Sequence, residues 1–262
     1  MIKQKRELSQ IFLRNPNIQK RIAQLVNTSA YKYVLEIGPG CGQITQYLNL
    51  DKKIYLGVEI DSSLCSFLSS KFEKVNILNK DFLELDNKDL EVFGFQKFLL
   101  FGNIPYSISS KILLKFLSIN FFEEAYLMVQ KEFFDCISSK FNTKQYSSLS
   151  VLLQSFCDIS KSFEISRLNF YPKPKVDSIF FSIKKREEIS EDFLKNYVEF
   201  IKQSFFSPRK ILWNNLKKNY SEEELNNIFY KNSFSRNIRI QELPPEKIKK
   251  LFLDIKKNIK QS

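Results

Sequence analysis

The segment Gly102-Asn103-Ile104-Pro105-Tyr106 holds the residues best suited to act on an amine nitrogen. The Asn103 side-chain oxygen and the Ile104 carbonyl, the latter held out by the proline that follows, can converge on one point. Two acceptors aimed at an exocyclic amine draw its lone pair out of conjugation and toward an electrophile. An amide does this without setting a carboxylate charge against the amine. Tyr106 is then placed to stack on the ring that carries the amine. The competing reading is a plain turn, because Asn and Pro are both turn residues.

Three further positions carry polar chemistry at the ends of short apolar runs. Glu36-Ile-Gly-Pro-Gly-Cys-Gly42 holds three of the 6 glycines in the chain, so the concentration is not a matter of composition. Glycines in such a turn let the backbone approach a ligand with no Cβ in the way; a tight turn with no ligand is the plainer alternative. Glu59, in Val58-Glu59-Ile60-Asp61, is set to accept both hydroxyls of a ribose. Asp81 in Lys80-Asp81-Phe82 can accept from an adenine amine while the aromatic covers the ring. Each acid alone is more often a solvated loop charge than a ligand contact; three such features at successive strand ends favour a shared ligand.

The elements that would position them are legible in the spacing. Tyr33–Ile37, Ile54–Ile60, Val75–Leu78, Phe98–Phe101 and Tyr126–Val129 are strand-length apolar runs separated by 14 to 24 residues. Those gaps admit crossover helices, and runs buried on both faces at that spacing predict a parallel α/β sheet. A helical pattern, Ile44 to Leu50, follows the glycine turn. Phe163–Ile165 and Ser178–Ile183 flank the turn Tyr171-Pro-Lys-Pro-Lys175 and predict an antiparallel hairpin that closes the sheet. Beyond Lys184-Lys-Arg-Glu-Glu188 the pattern is helical throughout, which places a domain boundary near residue 186: an α/β domain over 1–186 and a small all-α domain over 187–262.

Composition narrows the chemistry. The 262-residue chain has no histidine, which removes Ser-His-Asp and Cys-His triads, imidazole bases and imidazole metal ligands. Its 4 cysteines, Cys41, Cys65, Cys136 and Cys157, form no CxxC pair, so neither a metal cluster nor a disulfide scaffold is expected. No apolar run reaches the length of a signal peptide core or a membrane span, and a cytoplasmic protein is expected.

The formal charge of +12 points to polyanions, nucleic acid before acidic lipid. Residues 184–262 carry 18 basic and 11 acidic side chains, more than half the excess. Much of it is lysine, in a chain rich in Phe, Ile and Asn, so AT-rich codon usage accounts for part of the charge. Within the tail, Ser207 and Pro208 read as the N-cap and first residue of a helix that turns Leu212 and Leu216 inward. Arg209, Trp213 and Lys217, with Lys210 beside them, recur on an adjacent stripe able to hold phosphate and a base face. A tryptophan tucked into the domain interface beside solvated cations fits the pattern equally well.

Taken in order, Ser9-Gln-Ile-Phe-Leu13, Glu36–Gly42, Val58–Asp61, Asn103–Tyr106, Val129-Gln-Lys-Glu132, Tyr171–Ser178 and Ser207–Leu216 resemble the ribosomal RNA adenine dimethyltransferase family. The wording resembles the branch that dimethylates two adjacent adenosines in the 3′-terminal hairpin of 16S rRNA more than the macrolide-resistance branch that modifies 23S rRNA. The resemblance implies a Rossmann-like domain using S-adenosylmethionine, with a small helical C-terminal domain that binds RNA. Carried over by position, it implies a cofactor site of Ile11, Leu13, Gly38, Glu59, Asp81 and Asn103. It also implies a catalytic loop Asn103, Ile104, Pro105 and Tyr106, with Phe170 stacking on the flipped target base. Two departures are visible: Ile11 stands where the family has asparagine, and Ser207-Pro-Arg-Lys210 holds one cation fewer than the usual Gln-Arg-Arg-Lys. The implied partner is 16S rRNA within an immature small subunit, met by a monomer that uses no metal.

Three other classes compete. A DNA adenine or glutamine methyltransferase shares N-x-P-Y-type loops but lacks the proline turn and basic tail. A nucleotide-dependent oxidoreductase shares the glycine turn but leaves Asn103–Tyr106 without a task. A non-catalytic ribosome assembly factor would keep the RNA-binding tail without needing the chemistry.

Overall fold

A computed structural model describes residues 11–94 and 96–259. Ser9 and Gln10 of the opening motif lie outside the described residues. The strands are β1 (Phe12–Leu13), β2 (Tyr33–Ile37), β3 (Ile54–Glu59), β4 (Val75–Asn79), β5 (Phe98–Asn103), β6 (Phe122–Gln130), β7 (Cys157–Ile165), β8 (Phe170–Tyr171) and β9 (Ser178–Lys185). Seven of them form one sheet in the order β4-β3-β2-β5-β6-β9-β7. Pairing is parallel from β4 through β6, and β9 runs antiparallel to β6. The central strands β2 and β5 are buried on both faces, as unbroken apolar runs in a parallel sheet must be.

Strand order reverses direction between β2 and β5. β3 and β4 build outward on one side, β5 and β6 on the other, which leaves a crevice beyond the carboxyl ends of the two central strands. Ile37, the last residue of β2, lies opposite Val58 and Gly102, while Glu59 lies opposite Asn79. Successive strands therefore end level, each delivering its terminal side chains to the same edge. Gly102 permits the close approach: a Cβ there would stand 2.7 Å from the Ile37 carbonyl oxygen.

One sequence expectation is corrected here. The run after the glycine turn is no α-helix but a single 3-10 turn, Thr45–Tyr47. Asn27 accounts for the early stop. Its amide donates to the Tyr47 carbonyl at 3.1 Å and its oxygen accepts from the Asn49 N–H at 2.8 Å, taking backbone groups that a longer helix would use. The expected pair is present, with β7 beside β9 at the edge of the sheet, and the chain between them also contributes β8, which pairs with β1 through Phe12–Tyr171 and Leu13–Phe170.

The chain divides into two compact units. One takes the described residues up to Lys131 together with Asp158–Glu188; the other takes Glu132–Cys157 and the residues from Ile189 onward. This differs from a single break near 186, because helix Ser148–Phe156 belongs with the C-terminal helices rather than with the sheet. Phe156 packs edge-on against Tyr197 at 5.3 Å, and Ser155 Oγ lies 2.8 Å from the Tyr197 hydroxyl. Tyr197 in turn packs against Phe252 at 5.1 Å, so the aromatic core of this unit needs the inserted helix. Among the described residues no helix is long and apolar enough to cross a membrane.

Candidate active site

A cavity of about 360 Å³ opens at the carboxyl ends of β2, β3 and β5. It is lined by Ile11, Leu13, Gly38, Glu59, Asp81, Asn103, Ile104, Pro105 and Tyr106, so the structure brings together the six positions expected at the cofactor and the whole Asn103–Tyr106 loop.

Glu59 anchors the floor. Its two carboxylate oxygens accept from the Gly40 N–H at 3.1 Å and the Asp61 N–H at 3.0 Å. One backbone donor on each oxygen leaves further acceptor capacity on both, the arrangement that two adjacent hydroxyls require. Glu59 is 5 % exposed, and burial pushes its pKa above the usual carboxylate value although backbone donors pull the other way. Gly40 sits at φ +60°, and a Cβ there would come within 2.9 Å of the Phe12 ring, so the turn and the β1 strap are fitted to one another. Asp81 caps the 3-10 turn Phe82–Glu84 by accepting from the Leu83 N–H at 2.9 Å, while buried Phe82 adds an apolar wall.

Asn103 is held by its amide nitrogen, which donates to the Ile11 carbonyl at 2.8 Å. That bond fixes which end of the amide is the donor and leaves the oxygen as the acceptor on offer. It also explains how isoleucine serves at position 11, since the contact is through backbone and makes no demand on the side chain. The Leu13 carbonyl is likewise held, by the Gln19 amide at 2.6 Å. The Tyr106 hydroxyl lies 2.8 Å from Ser178 Oγ at the start of β9, which tethers the far end of the ring.

The sequence model of the family described as ribosomal RNA adenine dimethylase matches residues 1–257. The chain belongs to this family. As a ribosomal RNA adenine dimethylase it is a methyltransferase that uses S-adenosylmethionine. Its relatives include the ribosomal RNA small subunit methyltransferase A of Malacoplasma penetrans, 34% identical over 249 residues, 95% of this chain and 91% of the relative. The protein of the same name from Francisella tularensis subsp. novicida is 41% identical over 230 residues, 85% of this chain and 87% of its own length. Among solved structures, a dimethyladenosine transferase from Plasmodium falciparum superposes with a TM-score of 0.75 at 25% identity, covering 94% of this chain and 98% of that one. The 23S rRNA methyltransferase ErmE gives 0.67, also at 25% identity, over 94% and 99%.

The dimethylase cavity fits its cofactor on its own residues. Glu59 offers two acceptor oxygens, Gly38 at φ +57° leaves open space where a Cβ would stand, and Phe82 and Ile104 supply apolar surface. Replacing Glu59 with alanine is expected to weaken S-adenosylmethionine binding by about 1–3 kcal/mol, the range for hydrogen bonds to charged groups, and to leave RNA affinity unchanged. Calorimetry on the variant measures the first and filter binding the second; unchanged cofactor affinity would remove Glu59 from the site.

Two residues expected at functional positions are placed elsewhere. Phe170 is 4 % exposed, pairs with Leu13 and belongs to the core cluster with Ile165 and Phe180; it does not line the cavity. Its apolar neighbours on the sheet side draw the ring inward, and Tyr171 carries the exposed face of β8. Trp213 is 8 % exposed, edge-on to Phe229 at 5.0 Å, with the Arg236 guanidinium 4.4 Å from its ring centre. It is a core residue of the helical unit. Helix Leu212–Leu216 also starts later than the Ser207 cap predicted, with Ile211 as its N-cap. Asn215 explains the delay: its amide donates to the carbonyls of Ser204 at 2.8 Å and Ser207 at 3.2 Å, holding the preceding residues in a turn. Arg209, Lys210 and Lys217 are exposed.

Glu36 is the site residue that motif reading left without a role. It is 2 % exposed and lines the cavity, and one oxygen accepts from the Thr45 hydroxyl at 2.6 Å and the Tyr55 hydroxyl at 2.9 Å. An acid inside the apolar run Tyr33–Ile37 was its signal in the sequence. Burial raises its pKa to about 7 in spite of those two donors. The native state therefore holds a proton that the unfolded chain releases near the ordinary value of 4.5, and stability falls as pH rises from there through about 7. Glu36→Gln, which keeps an acceptor for both hydroxyls, is expected to flatten that fall and to stabilise the protein by up to about 3 kcal/mol above the window. Denaturant unfolding at pH 5 and pH 8 compares the two; equal pH dependence would show that Glu36 titrates normally.

Proposed function

We propose that the protein transfers methyl groups to the exocyclic amines of two adjacent adenosines in the 3′-terminal hairpin of 16S rRNA, giving dimethyladenosines. The substrate is the RNA within an immature small subunit in the cytoplasm. The observation that carries the reading is the Asn103–Ile11 bond, because it commits the amide oxygen to accepting in the cavity that Glu59 also lines. The names of the relatives, which specify the small subunit, favour 16S over 23S rRNA.

S-adenosylmethionine, when bound, supplies the electrophilic methyl group. The chain supplies position and charge complementarity. A target base within a helix is turned out of its stack to reach the cavity. There the Asn103 oxygen and the Ile104 carbonyl accept from the amine, and they bind it more strongly as its nitrogen becomes tetrahedral and gains positive charge. Pro105 has no N–H to compete for those acceptors. Tyr106, tethered through Ser178, gives the base a flat apolar wall. None of these roles needs an imidazole, in keeping with a chain that has no histidine.

The test is methyl transfer from labelled S-adenosylmethionine to small subunits lacking the dimethyladenosines, to free 16S rRNA and to 23S rRNA. Incorporation at two adjacent adenosines of the small-subunit RNA is expected. Labelling of 23S rRNA alone would assign the protein to the other branch, and binding without transfer would make it an assembly factor.

A further inference from the structure

Among the described residues the helical unit exposes three large aromatic side chains, Phe141, Phe206 and Tyr230, and of these Phe206 is the one with a lysine ammonium recorded against its ring. Phe206 is 70 % exposed. Single exposed apolar residues are common and carry no message by themselves. Phe206 differs in how firmly its surroundings are held. The carbonyls on either side, those of Ser204 and Ser207, both accept from the side-chain amide of buried Asn215. The Phe206 N–H donates to the Gln203 carbonyl at 3.2 Å, and the Lys210 N–H to the Ser207 carbonyl at 2.9 Å. The ring therefore projects from a fixed turn rather than from a loose loop.

Its chemistry is as specific as its placement. The Lys218 ammonium lies 4.3 Å from the ring centre, which occupies one face with a cation. An aromatic ring has a second face. Arg209 and Lys210 follow in the same turn and Lys217 adjoins Lys218 in the chain, all of them exposed. An aromatic face bordered by phosphate-binding cations is the arrangement by which proteins hold an unpaired base, stacking on the ring while the charges follow the backbone. The buried Trp213 cannot do this, whereas Phe206 is exposed, holds Lys218 against its ring and precedes Arg209 and Lys210 in the chain.

We propose that Phe206 is a stacking platform for one unpaired base of the ribosomal RNA, with Lys218 closing the opposite face of the ring. The inference rests on the reading that the helical unit binds RNA, and it adds the class of contact and the residue that makes it. The platform recognises a flat base rather than a sequence, because every base offers a π face.

The experiment measures binding of wild type, Phe206→Ala and Phe206→Trp to small subunits lacking the dimethyladenosines and to protein-free 16S rRNA, across a range of salt. Melting curves and S-adenosylmethionine affinity serve as controls, since an exposed ring contributes to neither. Phe206→Ala is expected to weaken RNA binding by about 5- to 100-fold, with a log–log salt slope equal to that of wild type, because a neutral ring displaces no counterions. Phe206→Trp is expected to restore the affinity. Unchanged binding in Phe206→Ala, failure of tryptophan to restore it, or a changed salt slope would each overturn the platform. A loss seen on subunits and absent on free rRNA would do so as well, by making Phe206 a contact to ribosomal protein. If wild type itself binds neither RNA, the parent reading falls and the platform with it; if wild type binds and Phe206→Ala binds equally, the platform alone falls.

Discussion

Replacing Asn103 with alanine is expected to lower the single-turnover rate of methylation by roughly two orders of magnitude or more, with RNA binding largely intact. The expectation follows from the geometry of one amide. Its nitrogen is committed to the Ile11 carbonyl, so its oxygen is a preorganised acceptor that needs no reorientation when the amine begins to gain charge. Alanine removes that acceptor and also leaves the Ile11 carbonyl without its partner, a loss of about 1–3 kcal/mol if it stays dry. The two consequences are separable. A loosened strap at residues 11–13 raises the concentration of S-adenosylmethionine needed for saturation, whereas loss of the acceptor lowers the rate at saturation. Single-turnover assays at several cofactor concentrations distinguish them. A saturated rate near that of wild type would reduce Asn103–Tyr106 to a turn.

The sheet and its polar edge were legible in the sequence for a physical reason. Strands buried on both faces must be apolar throughout, so a polar side chain or a glycine cluster at the end of such a run stands out: Glu36, Gly38, Glu59 and Asn103 all do. What stayed hidden depends on side chains reaching across the chain. Asn27 cutting short the segment after the glycine turn acts over about twenty residues, and Asn215 delaying helix Leu212–Leu216 acts backward onto the turn before it. Neither has a periodicity to betray it. Trp213 and Phe206 show the same limit in one element: both are aromatics near cations in the sequence, and only packing decides that Trp213 is buried against Phe229 while Phe206 faces solvent. Phe170 fits the motif of a stacking residue, but the antiparallel pairing of β8 with β1 turns it into the core. The division into units was hidden because helix Ser148–Phe156 is apolar enough to read as part of the sheet domain, while its partners, Tyr197 and Phe252, come far later in the chain.

Neutralising Arg209, Lys210 and Lys217 together is expected to reduce the log–log salt dependence of RNA binding by up to about 2–3, near one unit for each phosphate that no longer meets a cation. The three residues are exposed, Arg209 and Lys210 in the turn fixed by Asn215, and Lys217 just past the end of helix Leu212–Leu216. Because binding of a polyanion releases counterions, the lines for wild type and the triple variant should converge as salt rises and separate as it falls. A stacking residue behaves differently, and the Phe206→Ala line should run parallel to wild type below it. S-adenosylmethionine affinity should not change, since Glu59, Asp81 and the glycine turn all belong to the other compact unit. Lysine-rich composition alone would scatter cations without regard to a binding face, and cations so placed meet no phosphate. The titration against undermodified small subunits at several salt concentrations decides between the two origins of the charge. Equal slopes for wild type and triple variant would make these three side chains solvated surface, and RNA recognition would then have to rest on other cations of the chain.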